Sequence, residues 1–390
     1  MTLSPFSRHT LDGTAPTPAV VRSTLPQPTV LAIRSVHRAI AELRRGIPVV
    51  LDGAEPLVVV AAETVGANGL SEFVALAGEE PVLVLAPIRA ASVLDQAVPR
   101  SAQVIAVRLP GNPFDPATLR SLADPTAEQF LPSKPDVVPA PLLASPALGL
   151  VKLGRLLPAV LAARTRSDAL DLALERQLLT VAAADITVYP NALAGSLRRV
   201  SEAPVPLDGA PDSRIVAFRG FDAGIEHLAI LVGRPEREAA PLARIHSECF
   251  TGDLLGSLRC DCGAQLRGAI HRMADEGAGV LLYLAQEGRG IGIVNKLRAY
   301  ALQDRGLDTL DANRALGWGA DERSFLVAAT MLRELGVARV RLLTNNPEKM
   351  SGLAACGVEV IGREKHSFPP NGVNDDYLAT KAERFGHLLG

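Results

Sequence analysis

The sequence predicts an α/β (α+β) protein built from two units, and three observations carry that expectation. Apolar residues recur at helical spacing in several segments. Short runs of Val, Ile and Leu stand between them as buried strands. The 390 residues are also enough for more than one core.

Residues 1–28, rich in Pro, Ser and Thr and without a period, read as a disordered tail. Ile33, Val36, Ile40 and Leu43 then share one helical face, and Gly46-Ile47-Pro48 ends that helix. PVVLDG, PLVVVAAE and EPVLVLAP read as short buried strands, so residues 29–195 form an α/β unit. Prolines crowd residues 110–146, which read as loop and irregular structure. The most apolar stretch, VVPAPLLASPALGLVKLGRLLPAVLAA, is broken by prolines, Lys152 and Arg155 and reads as packed helices, not a membrane span. RSDALDLALERQLLTVAAADITV returns to helical spacing. SLRRVSEAPVPLDGAPDSRIVAFRG and EHLAILVG alternate as strands, which places a boundary near residue 195. Beyond it the order reads strand 242–249, helix 262–276, strand 279–285, helices 292–305 and 322–335, strand 339–344 and helix 347–355.

A net charge of −2 gives no broad electrostatic case for nucleic acid or an acidic membrane. Any anionic ligand must therefore meet a local cluster. The first twenty residues lack the apolar run of a signal peptide, so a cytoplasmic location is expected.

HSECFTGDLLGSLRCDCGAQL, residues 246–266, holds three of the four cysteines. Cys249, Cys260 and Cys262 are spaced Cys-x10-Cys-x-Cys. Such a cluster suits a reducing compartment and a metal better than a disulfide framework. Three thiolates give Zn²⁺ soft ligands and leave a fourth position open, where water can be acidified towards a pKa of about 7. His246 is on the preceding strand, with its side chain expected on the opposite face from Cys249. Cys356, on the apolar segment MSGLAACGVEV, reads as a small core residue.

Glu287-Gly288-Arg289-Gly290 stands between a strand and a helix, where glycines admit a ligand and the helix start favours an anion. Lys296 and Arg298 fit a solvated helix face. Asp321, Glu322 and Arg323 are expected at a helix start, where a cation such as Arg323 is unfavourable. Lys349, after Thr344-Asn345-Asn346-Pro347, also has the wrong sign for a helix dipole but the right one for a phosphate. Together these residues point to a zinc hydrolase acting on a phosphorylated substrate.

RIHSECFTGDLLGSLRCDCGAQL, QEGRGIGIVNKLRAYALQDRGLDTLDAN, ADERSF and LLTNNPEKM together resemble GTP cyclohydrolase II, nearly continuously over residues 196–390. The resemblance implies a mixed-sheet domain, usually a homodimer, that takes GTP with Zn²⁺ and Mg²⁺. The implied reaction opens the guanine imidazole ring, releases formate and pyrophosphate, and begins riboflavin synthesis. Carried over by motif, Cys249, Cys260 and Cys262 hold zinc. Arg323 attacks the α-phosphorus, Asp321 accepts a proton, and Tyr300 assists the ring chemistry. A guanidinium is almost always protonated, so stabilising transition-state charge is the alternative role for Arg323. Implied GTP contacts are Arg244, Ile245, His246, Ser247 and Glu248, followed by Gln265, Glu287, Gly288 and Arg289, and then Thr309, Thr344 and Lys349. Trp318 and Gly319 depart from the Phe and Ala expected there. A paralogue opening another nucleotide ring, as in uracil catabolism, and a non-catalytic nucleotide binder are the competing readings.

VHRAIAELRRGIPVVLDG and PLVVVAAETV resemble the start of 3,4-dihydroxy-2-butanone 4-phosphate synthase, and ITVYPNALAGSLRRVSEAPVPLDG resembles its junction to a cyclohydrolase. That synthase needs an acidic loop for Mg²⁺ and proton abstraction, and only LDGAEP stands in its place. The resemblance therefore implies a degenerate, inactive synthase-like domain over 29–195.

Overall fold

A computed structural model describes residues 27–99, 101–110, 115–129, 131, 133–221, 224–386 and 388. The expected tail lies almost wholly outside the described residues.

The first half contains strands β1 (Val49–Asp52), β2 (Leu57–Ala61), β3 (Val82–Leu85), β4 (Ile105–Arg108), β5 (Asp136–Val138), β6 (Ala159–Arg164) and β7 (Leu179–Ala182). They form one sheet in the order β5-β4-β3-β6-β2-β1-β7. Only the β1–β7 pair is parallel. Its helices are α1 (Gln27–Arg44), α2 (Ala67–Leu76), α3 (Pro87–Leu94), α4 (Pro116–Ala123), α5 (Ala144–Leu153), α6 (Ala169–Glu175) and α7 (Ala183–Gly195). The period-two alternation of strand side chains divides the sheet between two cores. Val50, Val58 and Val60 pack on one face, and Val49, Leu51, Leu57 and Val59 on the other. Both faces are covered, which is why these strands read as unbroken apolar runs.

The second half contains β8 (Arg198–Pro204), β9 (Ser213–Arg219), β10 (Glu226–Gly233), β11 (Leu242–Ser247), β12 (Ala278–Leu284), β13 (Arg339–Leu343) and β14 (Glu359–Glu364). Their order is β14-β13-β11-β12-β10-β9-β8. β8, β9, β10 and β12 pair antiparallel, whereas β12, β11, β13 and β14 pair parallel. Around this mixed sheet lie α8 (Cys262–Asp275), α9 (Ile293–Gln303), α10 (Thr309–Ala315), α11 (Phe325–Glu334), α12 (Pro347–Ala355) and α13 (Asp375–Phe385).

Several expectations need correction. Residues 110–146 are not only loop, since α4, β5 and the start of α5 form there. The apolar stretch after Val137 is one helix followed by β6, a strand inside the sheet. β7 interrupts the segment read as helical because its parallel pairing with β1 overrides local periodicity. Asp321, Glu322 and Arg323 precede the helix, whose N-cap is Ser324.

The two halves share a core. Ile291, Ala299, Leu302, Ala312, Leu316 and Trp318 of the second half join the cluster built on the first sheet. Trp318, 4% exposed, is thus explained by packing between halves. Among the described residues, no helix is long and apolar enough to cross a membrane.

Candidate active site

The parallel strands β11, β12 and β13 all point their carboxyl ends to one crevice, the place where open α/β sheets bind ligands. β11 ends at Ser247 and leads to Cys249, and a π-helical turn spans Phe250–Leu254. Cys260 follows, and Cys262 opens α8.

The three sulfurs lie within 4.8 Å of one another, and Cys249 Sγ is 3.8 Å from Cys260 Sγ. Tetrahedral Zn²⁺ with Zn–S of about 2.3 Å would set its sulfurs about 3.8 Å apart. A Cβ on Gly252 would be 2.7 Å from Cys260 Sγ and 3.0 Å from Cys249 Sγ, so the turn can close on the sulfurs only without a side chain. The donor set and its cradle fit a borderline-soft cation. Hydrogen bonds from Cys260 and Cys262 hold the Cys249 thiol far below its ordinary range. The same sharing pushes Cys260 up to about 11 and Cys262 well above its usual value. A bound cation would reverse that and favour thiolates.

Two carboxylates brace this loop. Asp253 accepts from the Cys249 N–H (2.9 Å), the Tyr283 hydroxyl (3.0 Å) and His246 Nε2 (3.1 Å). His246 stacks on Tyr283, with ring centroids 5.7 Å apart, and stands outside the cysteine trio. Glu287 Oε2 accepts from the Phe250 N–H (2.7 Å), while its Oε1 accepts from Lys296 Nζ (2.9 Å). Lys296 Nζ is also 3.0 Å from Cys249 Sγ and from Thr251 Oγ1. Burial alone would lower the Lys296 pKa, but Cys249 and Glu287 outweigh it and keep the ammonium charged. The solvated-face reading is therefore wrong for Lys296. It is wrong for Arg298 too, which pairs with Glu63 and Asp124 at 2.9 Å each.

A cleft of about 950 Å³, open mouth included, gathers most of the expected site. Arg244, His246, Ser247 and Glu248 form its β11 wall, with Gln265 and the three cysteines beside them. Glu287, Gly288 and Arg289 lie at the end of β12, and Tyr300 faces in from α9. Thr309, Arg323 and Lys349 complete the expected set, and Tyr377 and Lys381 enter from α13. Ile245, Thr344 and Asp321 stand behind this lining. The Ile245 side chain is buried in the core, while its carbonyl accepts from Lys349 Nζ at 2.8 Å. Thr344 Oγ1 accepts from the Asn346 N–H at 3.0 Å. Asp321 grips Arg323, with Nε 2.8 Å from Oδ1. Cys356 is partly buried against the core and takes no part.

The wall is cationic and partly buried. Arg244 Nε, His246 Nδ1 and Ser247 Oγ are buried without a hydrogen-bond partner. Burial lowers the pKa of Arg244 to about 10 and that of Lys349 well below the ordinary lysine value, with Arg323 and Arg244 adding repulsion at Lys349. Burial pushes the Asp321 carboxyl up, but Arg323 outweighs it and keeps the group ionised. Burial raises the Tyr300 phenol, which stays protonated. Arg289 occupies the left-handed region at φ 64° and lies 3.7 Å over the Phe385 ring. Backbone strain of this kind gathers at ligand clamps.

Residues 198–365 match the family model described as GTP cyclohydrolase II. A protein named GTP cyclohydrolase-2 from Azospirillum brasilense is 50% identical over 370 residues, 92% of this chain and 94% of that one. The chain belongs to the GTP cyclohydrolase II family. A Xylella fastidiosa protein of the same name is 39% identical over 356 residues, covering 90% of this chain and 87% of its own. An Escherichia coli namesake is 51% identical over 193 residues, 50% of this chain but 98% of its own. Among solved structures, a two-domain 3,4-dihydroxy-2-butanone 4-phosphate synthase from A. baumannii aligns at 17% identity, covering 83% of this chain and 98% of that one. Its TM-score is 0.32, too low to bear on the fold or activity of the first half.

Within this GTP cyclohydrolase II family member, sequence reading missed Asp253, Lys296, Tyr377 and Lys381 as parts of the site. Lys296 carried a usable signal, since it is four residues before Tyr300 on the same helix face. Tyr377 and Lys381 lie beyond the family match and carried none.

Proposed function

We propose that this protein hydrolyses GTP to formate, pyrophosphate and 2,5-diamino-6-(5-phospho-ribosylamino)pyrimidin-4(3H)-one. The observation that carries the reading is a single cleft holding the thiol trio, Tyr300 and Arg323 within a cationic wall. Cys249, Cys260 and Cys262 would hold Zn²⁺. When bound, that ion supplies Lewis acidity for adding water at the ring carbon between the imidazole nitrogens.

The chain's own groups then divide the work. Arg244, Arg289 and Lys349 bind the triphosphate, which arrives with Mg²⁺. Lys349 sits in the first turn of α12, where helix dipole and ammonium act on the same anion. Arg323 meets the α-phosphorus, oriented by Asp321 at its back. Attack by its nitrogen displaces pyrophosphate, Asp321 takes the proton, and water later cleaves the P–N bond to leave the monophosphate. If Arg323 remains protonated, it stabilises charge on the α-phosphate while water attacks directly. Tyr300, held protonated, donates at the opening ring.

The first half is proposed to have no synthase chemistry. β1 and β2 are joined by Gly53-Ala54-Glu55-Pro56, which offers one carboxylate, and Arg164 pairs with it at 2.8 Å. A homodimer is also proposed. Phe250, Leu254, Leu255 and Leu258 are 51–71% exposed beside the metal loop, an apolar surface that supports pairing of copies.

The test is incubation with GTP, Zn²⁺ and Mg²⁺, with formate, pyrophosphate and the pyrimidine measured separately. Tyr300→Phe should lose formate while keeping pyrophosphate release, and Arg323→Ala should lose pyrophosphate release. Formate from ribulose 5-phosphate would refute the inactive first half, and a wild-type protein inert on GTP would refute the reading as a whole.

A further inference from the structure

Among the described residues of 29–195, none contributes to the lining of the cleft, yet Arg155 reaches the segment behind it. Arg155 follows α5 with φ 56°, in the left-handed region that non-glycine residues occupy at a cost. In this conformation its carbonyl accepts from Nδ2 of Asn295, a fully buried residue in the first turn of α9, at 2.9 Å. Its guanidinium crosses to the second half, where Nη2 donates to the Ala285 carbonyl at 2.6 Å. Ala285 is two residues before Glu287, which ties the metal loop to Lys296. A Cβ on Gly292 would be 3.0 Å from Arg155 Cδ, so the side chain is in direct contact with the Glu287-to-α9 connection.

Further along α9, Arg298 is clamped between Glu63 and Asp124 of the first half at 2.9 Å each, with all three side chains under one-fifth exposed. Ala299 and Leu302 of the same helix pack into the first-half core. α9 thus turns one face to the first half while another presents Lys296 and Tyr300 to the cleft.

We propose that Arg155 is a positioning residue for the ring-opening step, holding the Glu287 turn and the start of α9 from the first half. The assignment rests on reading the cleft as a GTP-hydrolysing site. The contact uses a single donor, Nη2, carried on a long side chain to the Ala285 carbonyl. The Glu287 turn also meets the Arg323 segment, through the Glu322 N–H to the Arg289 carbonyl at 3.0 Å and Gln286 Nε2 to the Ser324 carbonyl at 3.3 Å. Pyrophosphate release should therefore fall too, but less than ring opening, which also depends on Tyr300 of α9.

The experiment measures formate released per pyrophosphate in the full chain. Arg155→Gly removes the guanidinium and relaxes the left-handed backbone, so folding is retained. The ratio should fall about tenfold or more, the scale expected for a small misplacement of catalytic groups, with zinc content unchanged. Asp124→Asn, which spares Glu63 and its 2.6 Å hydrogen bond from the Leu157 N–H, loosens the same helix without touching the Arg155 segment and should shift the ratio in the same direction. A wild-type ratio in Arg155→Gly overturns the proposal, as does loss of both products in step with the folded fraction. A wild-type chain that releases neither product from GTP overturns the reading of the cleft and this inference with it.

Discussion

Gly252 shows how much one absent methyl group can decide. Its N–H donates to Cys249 Sγ at 3.3 Å, and the space for a Cβ is already filled by sulfur. Gly252→Ala should leave the fold intact but lower metal affinity about 10- to 100-fold, as disturbed ligand support does. Competition with a chelator checks this, and unchanged affinity would mean the loop yields freely. His366 carries a pH signature. It is buried, Nε2 donates to the Gln265 carbonyl at 2.7 Å, and desolvation lowers its pKa from 6.5 to about 4. The unfolded chain therefore binds this proton first. Stability is full above pH 6.5 and is lost as pH falls from 6.5 towards 4, by up to about 3 kcal/mol. Urea unfolding across that window should show a smaller loss in His366→Gln, and an identical loss would place the acid sensitivity elsewhere. The cysteine trio was legible in the sequence because its spacing limits what three thiols can do. Asp253 was not, because its role is to accept hydrogen bonds from a backbone N–H and two side chains that only the fold brings to it.

α13 is the element on which the cleft depends with least warning from sequence. Lys381 pairs with Asp261 at 2.6 Å, with both side chains under one-tenth exposed. Lys381→Met leaves a buried carboxylate without its cation, so a loss of about 3–5 kcal/mol is expected. Asp261→Asn in the same chain should restore part of that loss. Chemical denaturation measures both, and a cost below about 1 kcal/mol would contradict a docked α13. Elements with strong local signals were read correctly, as with α1, where Ile33, Val36, Ile40 and Leu43 are all buried. α10 was missed because it is a seven-residue helix of mixed character. β7 was missed because its strand state comes from pairing with β1, a contact over a hundred residues away.

At the scale of the whole molecule, the halves are less separate than the sequence suggests. α7 ends at Gly195 and β8 begins at Arg198, yet one core joins the residues on either side of that gap through α9, α10 and Trp318. Lys152 adds a contact at 2.5 Å to Glu322, the residue between Asp321 and Arg323. Sequence patterning reports each unit's own core and is blind to where the second unit's helices dock. Arg298 therefore looked like an ordinary surface cation, and Arg155 only like a break in an apolar run.

The central claim joins three sulfurs, a metal and a purine nucleotide, and one paired measurement tests it most directly. Zinc content and formate release from GTP are determined on the same purified samples of wild type and Cys260→Ser. The account predicts about one zinc per chain with formate release in the wild type, and loss of both in the variant. A folded, zinc-free protein that still releases formate from GTP at the wild-type rate would contradict it.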